Sequence, residues 1–84
     1  MRKRRSTAHY VLSADDIHAG DQVFIAPSAG IHGYGCWWAL VVSTMPALIE
    51  GAVYLRVVPV DNLDDAPVTV FYANLSGLLV RRIP

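Results

Sequence analysis

A Gly-Asp turn that leads directly into a short alternating strand constrains this 84-residue chain more than any other feature. The stretch runs from Gly20 to Ile25 and reads Gly-Asp-Gln-Val-Phe-Ile. Gly20 permits a backbone conformation that a β-carbon resists, and the side chain of Asp21 can accept hydrogen bonds from nearby amides and fix the turn. A glycine-rich loop follows, and a second extended segment begins near Trp37. This pattern predicts a small all-β domain.

Five short segments have the residue types of β-strands. They are rich in Val, Ile, Tyr, Trp and Phe, and Gly, Pro, Asn or Asp residues bound them. The predicted strands are residues 22–26, 37–43, 53–60, 68–73 and 78–82. No window shows the sustained 3.6-residue period of a long helix, and Ser13 to Asp16 has the Ser-x-x-Asp form that begins a single helical turn. We therefore expect one domain over residues 13–84, preceded by a flexible basic arm over residues 1–12.

The connections between these segments are, in order, a long glycine-rich loop, a medium loop, a hairpin and a tight 3₁₀-like turn at residues 74–77. This order resembles that of the SH3-like small β-barrels, which include KOW and Tudor domains. The Gly20-Asp21-x-Val23 opening resembles KOW-type sequences, although the Lys-Gly step usual there is missing. The resemblance covers residues 20–83 and implies a single five-stranded SH3-like barrel.

A second resemblance is to the plasmid-borne type II dihydrofolate reductases, which are SH3-like barrels of nearly this length. They share the Gly-Asp-x-Val opening, a Trp in the second strand and an ending close to Val-Gln-Ile-Tyr…Leu…Arg-Ile. At the matching positions this chain has Val68-Thr69-Val70-Phe71-Tyr72, Leu75 and Arg82-Ile83. The family's substrate-binding Gln falls on Thr69, and its functional lysine falls at Ile25-Ala26. The resemblance therefore implies the fold, whereas the reductase activity depends on residues that this chain lacks. We expect no catalytic residue and no cofactor, and a reductase-like enzyme is the third hypothesis, after the two binding functions below.

Positive charge is concentrated at the two ends of the chain. Residues 13–80 carry one arginine, Arg56, against seven carboxylates. The basic residues at the ends could neutralise phosphates with salt-sensitive affinity, or they could form a solubilising tail. Because the body is acidic, it lacks the basic face of a dedicated nucleic-acid-binding domain. Nucleic-acid binding is therefore the second hypothesis, and its candidate residues are Arg2, Lys3, Arg4, Arg5, Arg81 and Arg82.

Several other site classes are not supported by the sequence. Cys36 is the only cysteine, which forbids an intrachain disulfide and favours a cytoplasmic location. His32 lies four residues before it in a glycine-rich loop, without the spacing of a zinc site, so we expect no metal. The three aspartates at residues 61–65 are typical of a hairpin tip. The longest apolar run, residues 36–49, falls short of the ~20 residues that span a bilayer, so we expect no membrane contact.

The chain has more apolar residues than its predicted interior needs, because 54% of its residues are hydrophobic and only 17% are charged. Alternation predicts an interior of Val23, Ile25, Trp38, Leu40, Val42, Leu55, Val57, Val68 and Val70. The opposite strand faces, with one residue from the glycine-rich loop, then form an apolar-aromatic surface. Its predicted members are Phe24, Tyr34, Trp37, Val41, Tyr54, Val58 and Phe71.

Monomers rarely expose a large contiguous apolar patch, so this surface needs a cover. The basic arm and the small helical turn could provide it, or a partner could. Since Trp and Tyr are enriched at interfaces, we favour binding to a second copy of the chain or to another protein. The sequence therefore predicts a non-catalytic binding or adaptor module. Analogy with other small accessory proteins suggests a phage- or plasmid-encoded accessory protein.

Overall fold

Six antiparallel strands form a single sheet in the computed structural model, which describes residues 8–11 and 13–82. The strands are β1 (Ala8–Tyr10), β2 (Gln22–Ile25), β3 (Trp37–Pro46), β4 (Ala52–Pro59), β5 (Thr69–Asn74) and β6 (Leu79–Arg81). The helical elements of the described residues are short 3₁₀ turns at Ala14–Asp16, Pro27–Ala29, Val60–Asn62 and Leu75–Gly77. The prediction of an all-β fold is confirmed for this part of the chain.

The sheet has the order β1-β6-β2-β3-β4-β5. Strands β2 to β5 form a meander, and the last strand, β6, returns to pair with β2. The five predicted strands fall on β2 to β6. In the described residues β1 and β5 lie at opposite ends of the sheet and do not pair, so the sheet is open. A closed five-stranded barrel is therefore not what this structure shows.

The short strand β1 lies in the segment predicted to be a flexible arm. Ala8 pairs with Arg81, and Tyr10 pairs with Leu79. The prediction of an arm is wrong for residues 8–10, because β6 offers a free edge that these residues complete by backbone pairing. Residues 1–7, which include the four basic residues of the predicted arm (Arg2, Lys3, Arg4 and Arg5), lie outside the described residues.

The predicted interior is correct for β2 and β4 and wrong for β3 and β5. In β2 and β4 the predicted interior residues Val23, Ile25, Leu55 and Val57 are fully buried. In β3 the buried residues are Ala39 and Val41, whereas Val42 is exposed. In β5 they are Phe71 and Ala73, whereas Val70, and Val68 just before the strand, are exposed.

The error follows from the two-residue period of a strand, because a shift of one residue exchanges its two faces. Both faces of β3 and β5 carry apolar residues, so alternation alone does not mark the inner one. In addition, the pairing of β3 with β4 shifts register between Val41 and Ser43, which makes Val42 a bulge residue. Residues 41–43 contain no glycine or proline that would indicate a bulge.

A buried carboxylate joins the turn before β2 to the residue that follows β6. Asp21 is only 3% exposed, and it accepts a hydrogen bond from the backbone amide of His18 at 2.9 Å. Arg82 donates to the same carboxylate from Nε at 2.8 Å and from Nη2 at 3.0 Å. Its Nη2 also lies 3.2 Å from the carbonyl oxygen of Asp16. Through these hydrogen bonds, Asp21 links the turn before β2 to the end of β6.

The hydrogen bonds from Arg82 hold the pKa of Asp21 below its usual value of 3.8, against the opposite effect of burial. The folded protein therefore holds this proton less tightly than the unfolded chain. This contribution to stability is complete above about pH 4, and it is lost as the pH falls through the lowered pKa.

We expect Asp21→Asn to be less stable than the wild type at pH 7, and the difference to shrink steadily below about pH 4. The measurement is urea unfolding of both proteins between pH 7 and pH 2. An equal difference at both ends of this range would show that the charge of Asp21 does not stabilise the fold.

A close contact between two 3₁₀ turns seals one end of the core. At Gly77 the backbone passes directly against the turn Pro27–Ala29, and a β-carbon there would overlap the carbonyl oxygen of Ser28. The core residues Ala29 and Leu75 lie in these two turns. There is therefore no room for a side chain at Gly77. Gly33, in contrast, has open space around it, and its positive φ of 87° is what favours glycine there.

We expect Gly77→Ala to lower the free energy of unfolding by about 3 kcal/mol, because the backbone of Ser28 must move. Gly33→Ala should cost only about 1 kcal/mol, from its left-handed φ. Chemical denaturation of the two variants measures the difference. Equal costs would mean that the two turns do not pack as closely as described.

Candidate binding face

The face of the sheet that points away from the core is largely apolar, and we call it the outer face. Strand registers and burial place its members on β2 to β6. Its apolar members include Phe24, Trp38, Leu40, Val42, Met45, Tyr54, Val58, Val70 and Tyr72, and its polar members include Gln22, Ser43, Arg56 and Arg81.

One half of the outer face is an aromatic pair covered by an arginine. Phe24 lies opposite Trp38 in the β2–β3 register, and the ring centroids are 5.1 Å apart. The guanidinium of Arg81 lies 3.8 Å from the centroid of the Trp38 ring. Arg81 is held there because its Nε donates to Oε1 of Gln22 at 2.8 Å. A cation over an indole ring is attracted by its π-electrons, so this half of the face is preorganised.

The other half of the outer face is more exposed. Tyr54 and Tyr72 lie opposite each other in the β4–β5 register, with ring centroids 5.2 Å apart. Tyr54 is 38% exposed, Tyr72 is 40% exposed, and Val70 beside them is 55% exposed. Arg56 lies opposite Val70, and its Nη1 donates to Oγ of Ser43 at 3.3 Å. The accessible rings of Tyr54 and Tyr72 therefore lie close to the guanidinium group of Arg56.

The charges of the outer face all have one sign. Arg56 and Arg81 are the charged residues at the outward positions of the described strands, and no Asp or Glu occupies such a position. The acidic residues lie in turns and loops instead, for example at residues 61–65. A body with an excess of carboxylates thus presents one apolar face that carries positive charge.

The predicted binding residues do not form one surface. Phe24 and Tyr54 lie on the outer face as predicted. Val41 is 1% exposed and Phe71 is 6% exposed, so both belong to the core, a correction that follows from the phase of β3 and β5. Val58 lies opposite Leu40 on the outer face as predicted, but it is buried there. Sequence reasoning missed the outward set of Trp38, Leu40, Val42, Met45, Val70 and Tyr72.

Two further predicted residues, Tyr34 and Trp37, pack with Phe71 at the glycine-rich loop. The ring of Phe71 has its centroid 4.9 Å from that of Tyr34 and 6.0 Å from that of Trp37. The indole Nε1 of Trp37 donates to the backbone oxygen of Tyr34 at 2.8 Å. The loop therefore folds over the inner side of β5, and its aromatic residues cover the core there.

The predicted nucleic-acid residues are also separated. Arg81 lies on the outer face, whereas Arg82 is bound to Asp21 away from it. Arg82 helps line a cleft of about 330 Å³, whose other lining residues are His9, Tyr10, Val11, Asp16 and His18. Arg2, Lys3, Arg4 and Arg5 lie outside the described residues. Within the described ranges, no three His, Cys, Asp or Glu side chains are arranged to hold a metal ion.

Comparison of the chain with models of protein families, with curated proteins and with solved structures finds no match. Among the residues that the structure describes, no helix is long and apolar enough to cross a membrane. The geometry of the outer face is therefore the main guide to function.

Proposed function

We propose that this protein is a non-catalytic binding module that holds another protein against its outer face. The observation that carries the proposal is the exposure of four large apolar side chains on that face. Met45, Tyr54, Val70 and Tyr72 are between 38% and 55% exposed. In a monomeric sheet with one buried face, polar residues usually occupy such positions. Contiguous apolar surface of this kind typically marks an interaction site.

The chemistry of the outer face suits a protein partner. Tyrosine, tryptophan and arginine are the residue types that dominate the binding energy of interfaces. The Arg81–Trp38 stack and the Tyr54–Tyr72 pair are both ordered by contacts within the chain. Side chains that are already ordered lose less conformational entropy on binding. A partner with apolar side chains and a few carboxylates would complement this face.

We also propose that the fold is an SH3-like small barrel. In support, β2 to β6 form a meander in which the last strand pairs with the first, and a 3₁₀ turn precedes β6. The connections have the order expected for such a barrel. The resemblance to the type II dihydrofolate reductases then concerns architecture alone. At the positions of their functional lysine this chain has Ile25 and Ala26, which are buried in the core.

A second candidate function is the binding of single-stranded nucleic acid. The observation in its favour is that Arg56 and Arg81 both lie on the outer face beside aromatic rings, as in surfaces that combine base stacking with phosphate contacts. Against it, Arg81 already covers one face of the Trp38 ring. We therefore place protein binding first.

The protein-binding proposal predicts that a charge in the middle of the outer face abolishes capture of partners. The experiment immobilises the wild-type protein and the variants Tyr54→Glu and Leu48→Glu, and incubates each with a nuclease-treated extract of the source cells. Leu48 is a matched control, because it is fully exposed in the loop between β3 and β4. Partners retained by the wild type and Leu48→Glu should be depleted at least tenfold by Tyr54→Glu, as expected for loss of about 2 kcal/mol at a hot spot. Identical sets of retained proteins on all three would contradict the proposal.

Binding to a fluorescent oligothymidylate separates the two candidates. Under the protein-binding proposal, affinity is weak, disappears when residues 2–5 are deleted and falls steeply between about 50 and about 200 mM salt. Fluorescence anisotropy measures it in the wild type, the deletion variant and Arg56→Gln. Affinity that survives the deletion and is lost in Arg56→Gln would move the nucleic-acid site to the outer face and replace protein binding as the leading function.

A further inference from the structure

Strand β5 is an end strand of the described sheet, and its free side lacks the features that usually protect such edges. Its sequence, Thr-Val-Phe-Tyr-Ala-Asn, contains no charge, no proline and no glycine. Natural sheets usually blunt an edge with lysine, proline, a bulge or a cover, because an open edge pairs readily with another strand. The register of β4 with β5 is continuous from Ala52 to Val57, without a bulge.

The direction of the backbone groups of β5 follows from one hydrogen bond at its end. The amide of Leu75 donates to the carbonyl oxygen of Gly51 at 2.8 Å, in continuation of the β4–β5 register. In an antiparallel ladder, hydrogen-bonded pairs alternate with pairs that are not. Thr69, Phe71 and Ala73 therefore bond to β4, whereas the amide and carbonyl groups of Val70 and Tyr72 point away from the sheet.

These outward groups have no partner among the turn and loop hydrogen bonds of the described residues. The side chains of the same two residues stand on the outer face, where Val70 is 55% exposed and Tyr72 is 40% exposed. The free edge thus combines unpaired backbone groups with accessible apolar side chains. This is the surface that an added β-strand completes.

We propose that β5 pairs in antiparallel fashion with β5 of a second copy of this chain, across a two-fold axis at Phe71. In this register Val70 of each copy lies opposite Tyr72 of the other, so the outward backbone groups of these two residues find partners. The two pairs form about four backbone hydrogen bonds. Each also brings a β-branched side chain against an aromatic ring, which is a favourable cross-strand combination.

The distribution of charge favours a second copy in this orientation. The strand itself is neutral, so two copies meet without repulsion at the seam. The acidic residues Asp61, Asp64 and Asp65 lie in the loop that precedes β5. Antiparallel pairing sends the two acidic loops to opposite ends of the seam, whereas parallel pairing would place them side by side. Because both strands of the seam are the same segment, this pairing is self-complementary and closes as a two-fold dimer.

The dimer is held by the backbone edge of β5 and involves two residues of the outer face, Val70 and Tyr72, whereas the test of the proposed function changes Tyr54 on the neighbouring strand. In Val70→Pro the lost amide points away from β4, so the ladder inside the chain keeps its hydrogen bonds while the edge loses a donor and gains a ring. Sedimentation equilibrium should show a dimer for the wild type and a dissociation constant at least tenfold higher for Val70→Pro. Tyr54→Glu, on the neighbouring strand of the same face, should remain dimeric.

Amide hydrogen exchange of the wild-type protein provides a test that needs no variant. As the concentration rises, the amides of Val70 and Tyr72 should become protected, while that of Phe71 is protected throughout by its bond to β4. A wild type that stays monomeric at high micromolar concentration would overturn the proposal. So would a dimer in which Val70 and Tyr72 still exchange rapidly, or a folded Val70→Pro that dimerises as strongly as the wild type.

Discussion

The pairing of β6 with β2 determines both the core and the outer face of this protein. It brings the end of the described chain back to β2, and the hydrogen bonds between Arg82 and the buried carboxylate of Asp21 stabilise this junction. The same pairing aligns Gln22 with Arg81, and Gln22 then holds the guanidinium over Trp38. One strand pair therefore supports both the core and the preorganised half of the outer face.

The two surfaces proposed for binding arise from different parts of this arrangement. The outer face exists because apolar residues occupy both sides of the strands while only one side can be buried in a single sheet. The edge of β5 is free because the chain meanders outward from β2 and the described strands do not close. A dimer through β5 would place the two outer faces side by side on one extended sheet. Partner binding and self-association would then be compatible in the same assembly.

The residue pattern was enough to locate five strands and the Gly-Asp turn, because each strand is bounded by residues with a strong preference for turns. It was not enough to orient β3 and β5. Trp37, Val41 and Phe71 face the core while Trp38 and Tyr72 face outward, and both sets are apolar. The choice between them depends on tertiary packing and on the bulge at Val42, neither of which has a local signal. Strand β1 escaped prediction for a related reason, since its three residues are ordered by β6 and not by their own pattern.

Site-specific photocrosslinking inside cells reports directly on whether the outer face binds a partner protein. A benzophenone amino acid at Tyr54 reports on the outer face, and the same probe at Tyr34, which is 59% exposed in the glycine-rich loop, reports on accessible surface elsewhere. If the outer face binds a partner, position 54 should give a discrete adduct with another polypeptide and position 34 should give none. Adducts from position 34 alone, or from neither position, would contradict it.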